Sequence, residues 1–202
     1  MIDSDDVFAA IRRGYTELEN SSPTEIMGYF SGMDAESAVG HISNIKGILF
    51  EQEIVQALNE QGMEAALFEA TNHPVSDIAI FDDDGDIIGE LQLKATDSVD
   101  YISNTLELNP DVPIITTSEV AGGFDTDIVI DSSIDNAALH DAITATVFDD
   151  ASLDSPGDAA GEILDDSASE GLADMVGDVI SYVPLSPVGA IIKLGKLLFG
   201  LF

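Results

Sequence analysis

A chain of 202 residues with six basic and 39 acidic side chains, a formal charge of −33, has too few cations for many phosphate contacts, which argues against tight nucleic-acid binding at moderate salt. The absence of cysteine removes disulfides, thiolate zinc sites and cysteine nucleophiles. A hydrophobic content of 45% supports a real core in one ordinary domain plus an appendage, and the acidic start MIDSDDVFAAIRRGY lacks a basic secretion signal, so a cytoplasmic protein is expected.

Residues 1–46 read as a helical N-terminal region. Ser4 can cap DDVFAAIRRGY, whose acids lie near the start and arginines near the end, as the helix dipole favours. Ser22-Pro23 reads as cap and first-turn proline of a short helix through Phe30, and Asp34 starts a third segment towards His41. No active residue is expected here. The region packs on the domain that follows or contacts a partner.

From Gly47, the apolar residues Ile48, Val55 and Leu58 recur at helical spacing, and Glu51 falls on their stripe. An acid on a buried stripe needs a partner; the blander alternative is a helix edge from which Glu51 reaches solvent. Next comes IAIFDDDGDIIGELQLK, in which Asp84-Gly85 is a two-residue hairpin signal. That turn pairs Asp83 with Asp86 and Ala79 with Glu90, and sets Asp77 opposite Gln92. Alternation then puts Asp77, Glu90, Gln92 and Lys94 on one face, while Ile78, Ile80, Leu91 and Leu93 line a core face. Lys94 is the only Lys or Arg between Lys46 and Lys193. The acidic tip DDDGDIIGE superficially resembles a calcium loop, but its glycine and glutamate are wrongly spaced for an EF-hand.

The order Glu51, Asp77, Gln92-x-Lys94 resembles the PD-(D/E)XK nuclease superfamily, in its variant with Gln replacing the second acid. The resemblance covers about Gly47 to Thr117, with TNHPVSD where the family often has a proline shortly before its aspartate. It implies a restriction-endonuclease-like α/β domain over 47–148, in which a helix glutamate, a strand aspartate and an acid-x-lysine converge on one or two Mg²⁺ (or Mn²⁺) ions. Glu51, Asp77 and Gln92 would be ligands, with Glu90 able to stand in for Gln92. Lys94 would orient or deprotonate the attacking water, or offset charge on the phosphorane. The alternative role for Lys94 is to neutralise Asp77 and Glu90 across the sheet. The implied activity is a magnesium-dependent endonuclease acting on nucleic acid, DNA in the first place. The net charge departs from that expectation unless the host is salt-loving, where a Debye length of about 3 Å at 1 M silences distant acids. Otherwise the fold has abandoned DNA.

After Lys94, Val99, Ile102 and Leu106 mark a helix ending before Pro110, VPIITTSEVA and TDIVIDSS read as strands, and NAALHDAITATVF as a helix. Helix, hairpin, helix, strand, strand, helix makes a mixed central sheet flanked by helices, in agreement with the resemblance. Thr116, Thr117, Ser118 and Glu119 end a strand, where binding residues gather. His41 reads as an ordinary exposed or edge histidine and His140 as structural, and His73, four before Asp77, is the histidine nearest the site. No phosphate-cradling GxxxxGK, nucleophile elbow or internal repeat is present.

Residues 149–170 read as an acidic linker and 171–202 as an apolar helical tail. From Val179 to Phe202 there is no acid, and Gly189, Lys193, Lys196 and Gly200 form one narrow polar strip. About fifteen helical residues span about 22 Å, short of the roughly 30 Å hydrocarbon core. Three readings stay open: a helix lying in a membrane interface, a helical hairpin dipping into it, or a tail docking in a protein partner or in a homo-oligomer. Beside the nuclease, the chain can therefore be an inactive nuclease-like interaction module tethered by the tail, or a membrane-active effector carried by the α/β domain.

Overall fold

The computed structural model describes residues 2–68 and 75–148. The linker read at 149–170, the tail read at 171–202 and the TNHP of TNHPVSD, with His73, lie outside the described residues. In chain order the elements are α1 (Ser4–Gly14), a 3-10 turn (Thr16–Leu18), α2 (Pro23–Phe30), α3 (Ala35–Glu60), β1 (Glu64–Leu67), β2 (Ile78–Phe81) and β3 (Ile87–Lys94). They continue with α4 (Val99–Leu108), β4 (Ile114–Thr116), α5 (Ser118–Ala121), β5 (Val129–Asp131) and α6 (Asn136–Val147). The protein is α/β. Its sheet runs β1-β2-β3-β4-β5, antiparallel through β1, β2 and β3 and parallel through β3, β4 and β5.

Side-chain caps fix the helix starts. Asp3, not Ser4, caps α1: its carboxylate accepts the Asp5 and Asp6 amides, and the Asp6 carboxylate returns to the Asp3 amide at 2.8 Å. Ser22 and Glu25 form the same reciprocal box at α2, ahead of Pro23. Asp34 caps α3 through the Ser37 amide, and this helix does not stop near His41 but runs on to Glu60. Ile42, Ile45, Leu49, Phe50, Ile54 and Leu58 make one uninterrupted buried stripe along it, which outweighs the low helix propensity of Gly40 and Gly47. The boundary expected at residues 46 and 47 falls inside this helix, and side chains from both sides of it share one core cluster.

Strand β1 was not foreseen. Gly62, at φ +84°, ends the helix, and Asn59 holds the returning chain by donating to the Ala65 carbonyl and accepting the Ala65 amide at 3.0 and 2.9 Å. The hairpin turn also differs from expectation. Asp82, not Asp83, pairs with Asp86, across a three-residue loop in which Gly85 alone takes positive φ, +84°. The Asp82 carboxylate accepts the Asp84 and Asp86 amides, a local tie that a two-residue turn with positive φ at Asp84 would forgo. That one-residue offset is cancelled by a bulge: Phe81 faces Ile87 while Ile80 faces Gly89, leaving Ile88 unpaired. Ala79 therefore still faces Glu90, as expected.

Helices cover both faces of the sheet. Ile78, Ile80, Leu91, Leu93, Ile115 and Ile130 join one core with α1, α2, α3 and α6. Ile114 and Val129, on the opposite face, pack with Ile102 of α4 and Val120 of α5 in a second cluster. The expected division into one core face and one chemical face is thus corrected: beside Gln92 the second face is also apolar, and it turns polar only at the strand ends, where Lys94 pairs with Thr116 and Asp131 lies beyond it. Among the described residues no helix is long and apolar enough to cross a membrane.

The bulge makes neighbouring residues unequal. Leu91→Ala, at a fully buried position, should cost about 3 kcal/mol in urea unfolding, whereas Ile88→Ala should cost less than about 1 kcal/mol. Equal losses would mean that Ile88 is packed rather than bulged.

Candidate functional site

The mouth of the β2–β3 hairpin gathers charges from three elements. Asp77 immediately precedes β2. Its amide donates to the Leu91 carbonyl at 2.9 Å, and its carboxylate Oδ2 accepts the Leu93 amide at 2.7 Å. Regular pairing ends at Ile78 opposite Leu91, so the expected ladder pair between Asp77 and Gln92 is not made. The chain turns at Val75, whose φ of +81° is rare for a β-branched residue, and the aspartate side chain supplies the acceptor that a ladder carbonyl would give Leu93. This fixes the carboxylate against the strand that carries Lys94. The Lys94 ammonium stands 3.9 Å from the same Oδ2, and both side chains keep about a quarter of their surface exposed, at 21% and 25%.

Glu51 meets this pair from α3. Burial pushes its pKa above the ordinary carboxylate range, the Arg13 guanidinium opposes that through a hydrogen bond and its charge, Asp77 adds to the rise and Lys94 counters it. Glu51, Arg13, Asp77 and Lys94 therefore act on one electrostatic neighbourhood. The Arg13 to Glu51 bond is short, Nη1 to Oε2 at 2.9 Å. Arg13 lies in the N-terminal helices, where no active residue is expected from the sequence and where the helix dipole already accounts for two arginines in the last turn of α1. Only the unpaired acid on the stripe of α3 called for a cation. Gly14 brings that cation in, since a Cβ there would lie 2.3 Å from Ile48 Cδ1; without one, the end of α1 settles close against α3.

Gln92 is 8% exposed, and its Oε1 is buried with no hydrogen-bond partner among the described residues. A buried amide oxygen left unpaired costs about 1–3 kcal/mol, so the position calls for a donor or a cation. Glu90 is drawn elsewhere: it is exposed and accepts the Ser76 hydroxyl at 2.6 Å, so the structure does not bring it to Lys94 as expected. Among the described residues no three His, Cys, Asp or Glu side chains gather tightly enough to hold a metal ion. Glu51 and Asp77 share one electrostatic neighbourhood, while Gln92 lies on the face that α4 covers. The two carboxylates suit Mg²⁺, which commonly takes one or two carboxylates and keeps several waters.

The strand-end residues Thr116 to Glu119 serve the fold. Thr116 and Thr117, both fully buried, donate their hydroxyls to the Lys94 and Thr96 carbonyls, pinning the chain as it leaves β3. Ser118 donates to Asp131 at 3.0 Å, and the Glu119 carboxylate accepts the Asn136 and Ala137 amides at the start of α6. His41 bonds the Tyr15 hydroxyl at 2.7 Å, while His140 Nε2 is buried without a partner among the described residues. No family model, characterised protein or solved structure matches the chain.

A raised Glu51 pKa sets a pH dependence. The folded chain holds this proton more tightly than the unfolded one, so folding takes up a proton from about pH 4.5 up to the raised value, and stability falls as pH rises through that window. Glu51→Gln abolishes the titration. Its melting temperature relative to the parent chain should therefore climb from pH 4.5 towards neutrality, and a constant difference would count against a half-buried, proton-retaining Glu51.

Proposed function

We propose that this chain is a metal-dependent nuclease of the PD-(D/E)XK kind, with a restriction-endonuclease-like fold, hydrolysing phosphodiester bonds in nucleic acid, DNA in the first place. What carries the proposal is the arrangement at the hairpin mouth: a lysine ammonium beside an aspartate that accepts the Leu93 amide, with a helix glutamate in the electrostatic neighbourhood of both. The order of elements, a helix followed by an antiparallel hairpin, a crossover helix and parallel strands, is in keeping with it.

Asp77 and Glu51 are the residues that would hold Mg²⁺ or Mn²⁺, which when bound polarises the phosphodiester and lowers the pKa of the attacking water. The Leu93 amide holds Asp77 through Oδ2 and leaves Oδ1 open to a ligand role. Lys94 sits far enough from Asp77 to serve a second partner. Its ammonium orients the attacking water or offsets the charge growing on the phosphorane. The surrounding acids repel substrate at low ionic strength, so activity would favour concentrated salt, where the Debye length is about 3 Å. The apolar 179–202 segment would anchor the enzyme to a membrane or a protein partner.

One observation favours a second reading, a catalytically inactive interaction module: Glu51 is already paired with Arg13.

Cleavage of supercoiled plasmid and single-stranded DNA, with Mg²⁺ or Mn²⁺ and from low to molar salt, tests the proposal. Nicking should require the metal and fall by about 100-fold or more in Lys94→Ala and in Asp77→Asn. Folded protein that cleaves neither substrate at any salt would remove the nuclease and leave the interaction module.

A further inference from the structure

The described residues hold four basic side chains, Arg12, Arg13, Lys46 and Lys94. Arg12 is committed to the fold: its Nε donates to the Ser21 carbonyl at 2.9 Å, and the guanidinium lies 6.0 Å from the Phe8 ring centre. Lys46 is half-buried on α3, where Asp97 and Glu119 are the charges that favour its ammonium. Arg13 and Lys94 alone border the carboxylates of the hairpin mouth, one through Glu51 and the other through Asp77. They come from elements far apart in the sequence, α1 and β3.

Within the nuclease reading, on which this inference rests, we propose that Arg13 is a phosphate-contacting residue of the same site, paired with Glu51 until substrate arrives and then transferred to a phosphate oxygen. Three features carry it. The pair is 26% exposed on both sides, so an incoming anion can reach the guanidinium. Guanidinium forks match phosphate as well as carboxylate, so the exchange replaces one charge-assisted hydrogen bond with another. A chain of charge −33 needs every cation near the scissile group, and no other arginine or lysine among the described residues is placed to help Lys94. Glu51, released by Arg13, is then free to act as a ligand, which reconciles its ion pair with the role assigned to it above.

Binding measured as a function of salt counts phosphate contacts directly. Full-length Lys94→Ala, expected not to cleave, would be titrated against fluorescein-labelled duplex and single-stranded oligonucleotides by anisotropy, in Mg²⁺, across a salt series. Adding Arg13→Gln should weaken binding about tenfold at the salt where the Lys94→Ala protein binds best, and shift the slope of log K against log salt by about +0.9 for duplex or about +0.7 for single strands, one contact's worth. Arg12→Gln in the same background should leave the slope unchanged. Should Arg13→Gln fail to fold by circular dichroism, Arg13→Lys keeps the charge and should preserve the slope while losing about threefold in affinity, because the fork is gone; affinity equal to that of arginine would overturn the proposal. Oligonucleotide binding with a slope indifferent to Arg13→Gln would also overturn it, leaving the nuclease reading intact. No binding by any of the proteins at any salt would remove both.

Discussion

Burying Leu91 and Leu93 beneath the helices of the main core determines how β3 lies, and with it where Gln92 and Lys94 point. The strand is paired on both edges, antiparallel to β2 and parallel to β4, so neither of its faces can slide without breaking ladders on two sides. Helix α3 packs against α1, α6, β1 and β3 at once. Through it, the apolar packing that stabilises the domain also sets the distance from Glu51 on the helix to Asp77 at the hairpin mouth. The polar site is a by-product of hydrophobic registration.

The excess of acid shapes what the few cations do. A half-buried carboxylate such as Glu51 is costly without an opposite charge, and the fold meets that need from α1, where Gly14 permits close approach. At Asp77 the need is met mainly by a backbone amide, with Lys94 further off. Arg13 is thus held tightly by its acid and Lys94 loosely. Among the described residues, acids at the hairpin tip cap local amides, Asp3 and Asp34 cap α1 and α3, and Glu25 closes the capping box that Ser22 opens at α2. Acidic composition here is compatible with an ordinary buried core, because the core is built from Ile, Leu, Val, Phe and Ala and leaves the charge outside.

Much of this was legible in the residues. Alternation in IAIF and LQLK identified the buried face, helical spacing found α4, NAALHDAITATVF read as the helix α6, and the serine and proline at positions 22 and 23 marked α2. Strand β1 escaped notice because EAAL carries no β-branched residue and alternates only weakly; its pairing with β2 and the grip of Asn59 decide its conformation. The length of α3 was hidden because the segment from Asp34 towards His41 and the helix from Gly47 read as separate pieces, and the burial of one stripe along both is a tertiary property. In the site, Glu51, Asp77 and Lys94 were visible as an acid on an apolar stripe and a lone cation on a strand. Arg13 was not, because an ion pair across 38 positions leaves no local pattern. Gln92 was placed on the right strand, but its enclosure depends on α4 closing over the second face.

The paired irregularities of the hairpin have a mechanical meaning. A loop one residue longer than expected and a bulge at Ile88 offset one another, so the ladder below Ile80 is in the same register as if neither were there. Such a hairpin behaves as a joint with play in it. Twisting or lengthening at the acidic tip, whether by counterions, contact or a change in loop length over evolutionary time, is taken up between Ile87 and Gly89, short of Asp77 and Lys94 at the other end of the two strands. The tip is free to vary in sequence and shape, while the chemistry at the opposite end of the same two strands is held to one geometry.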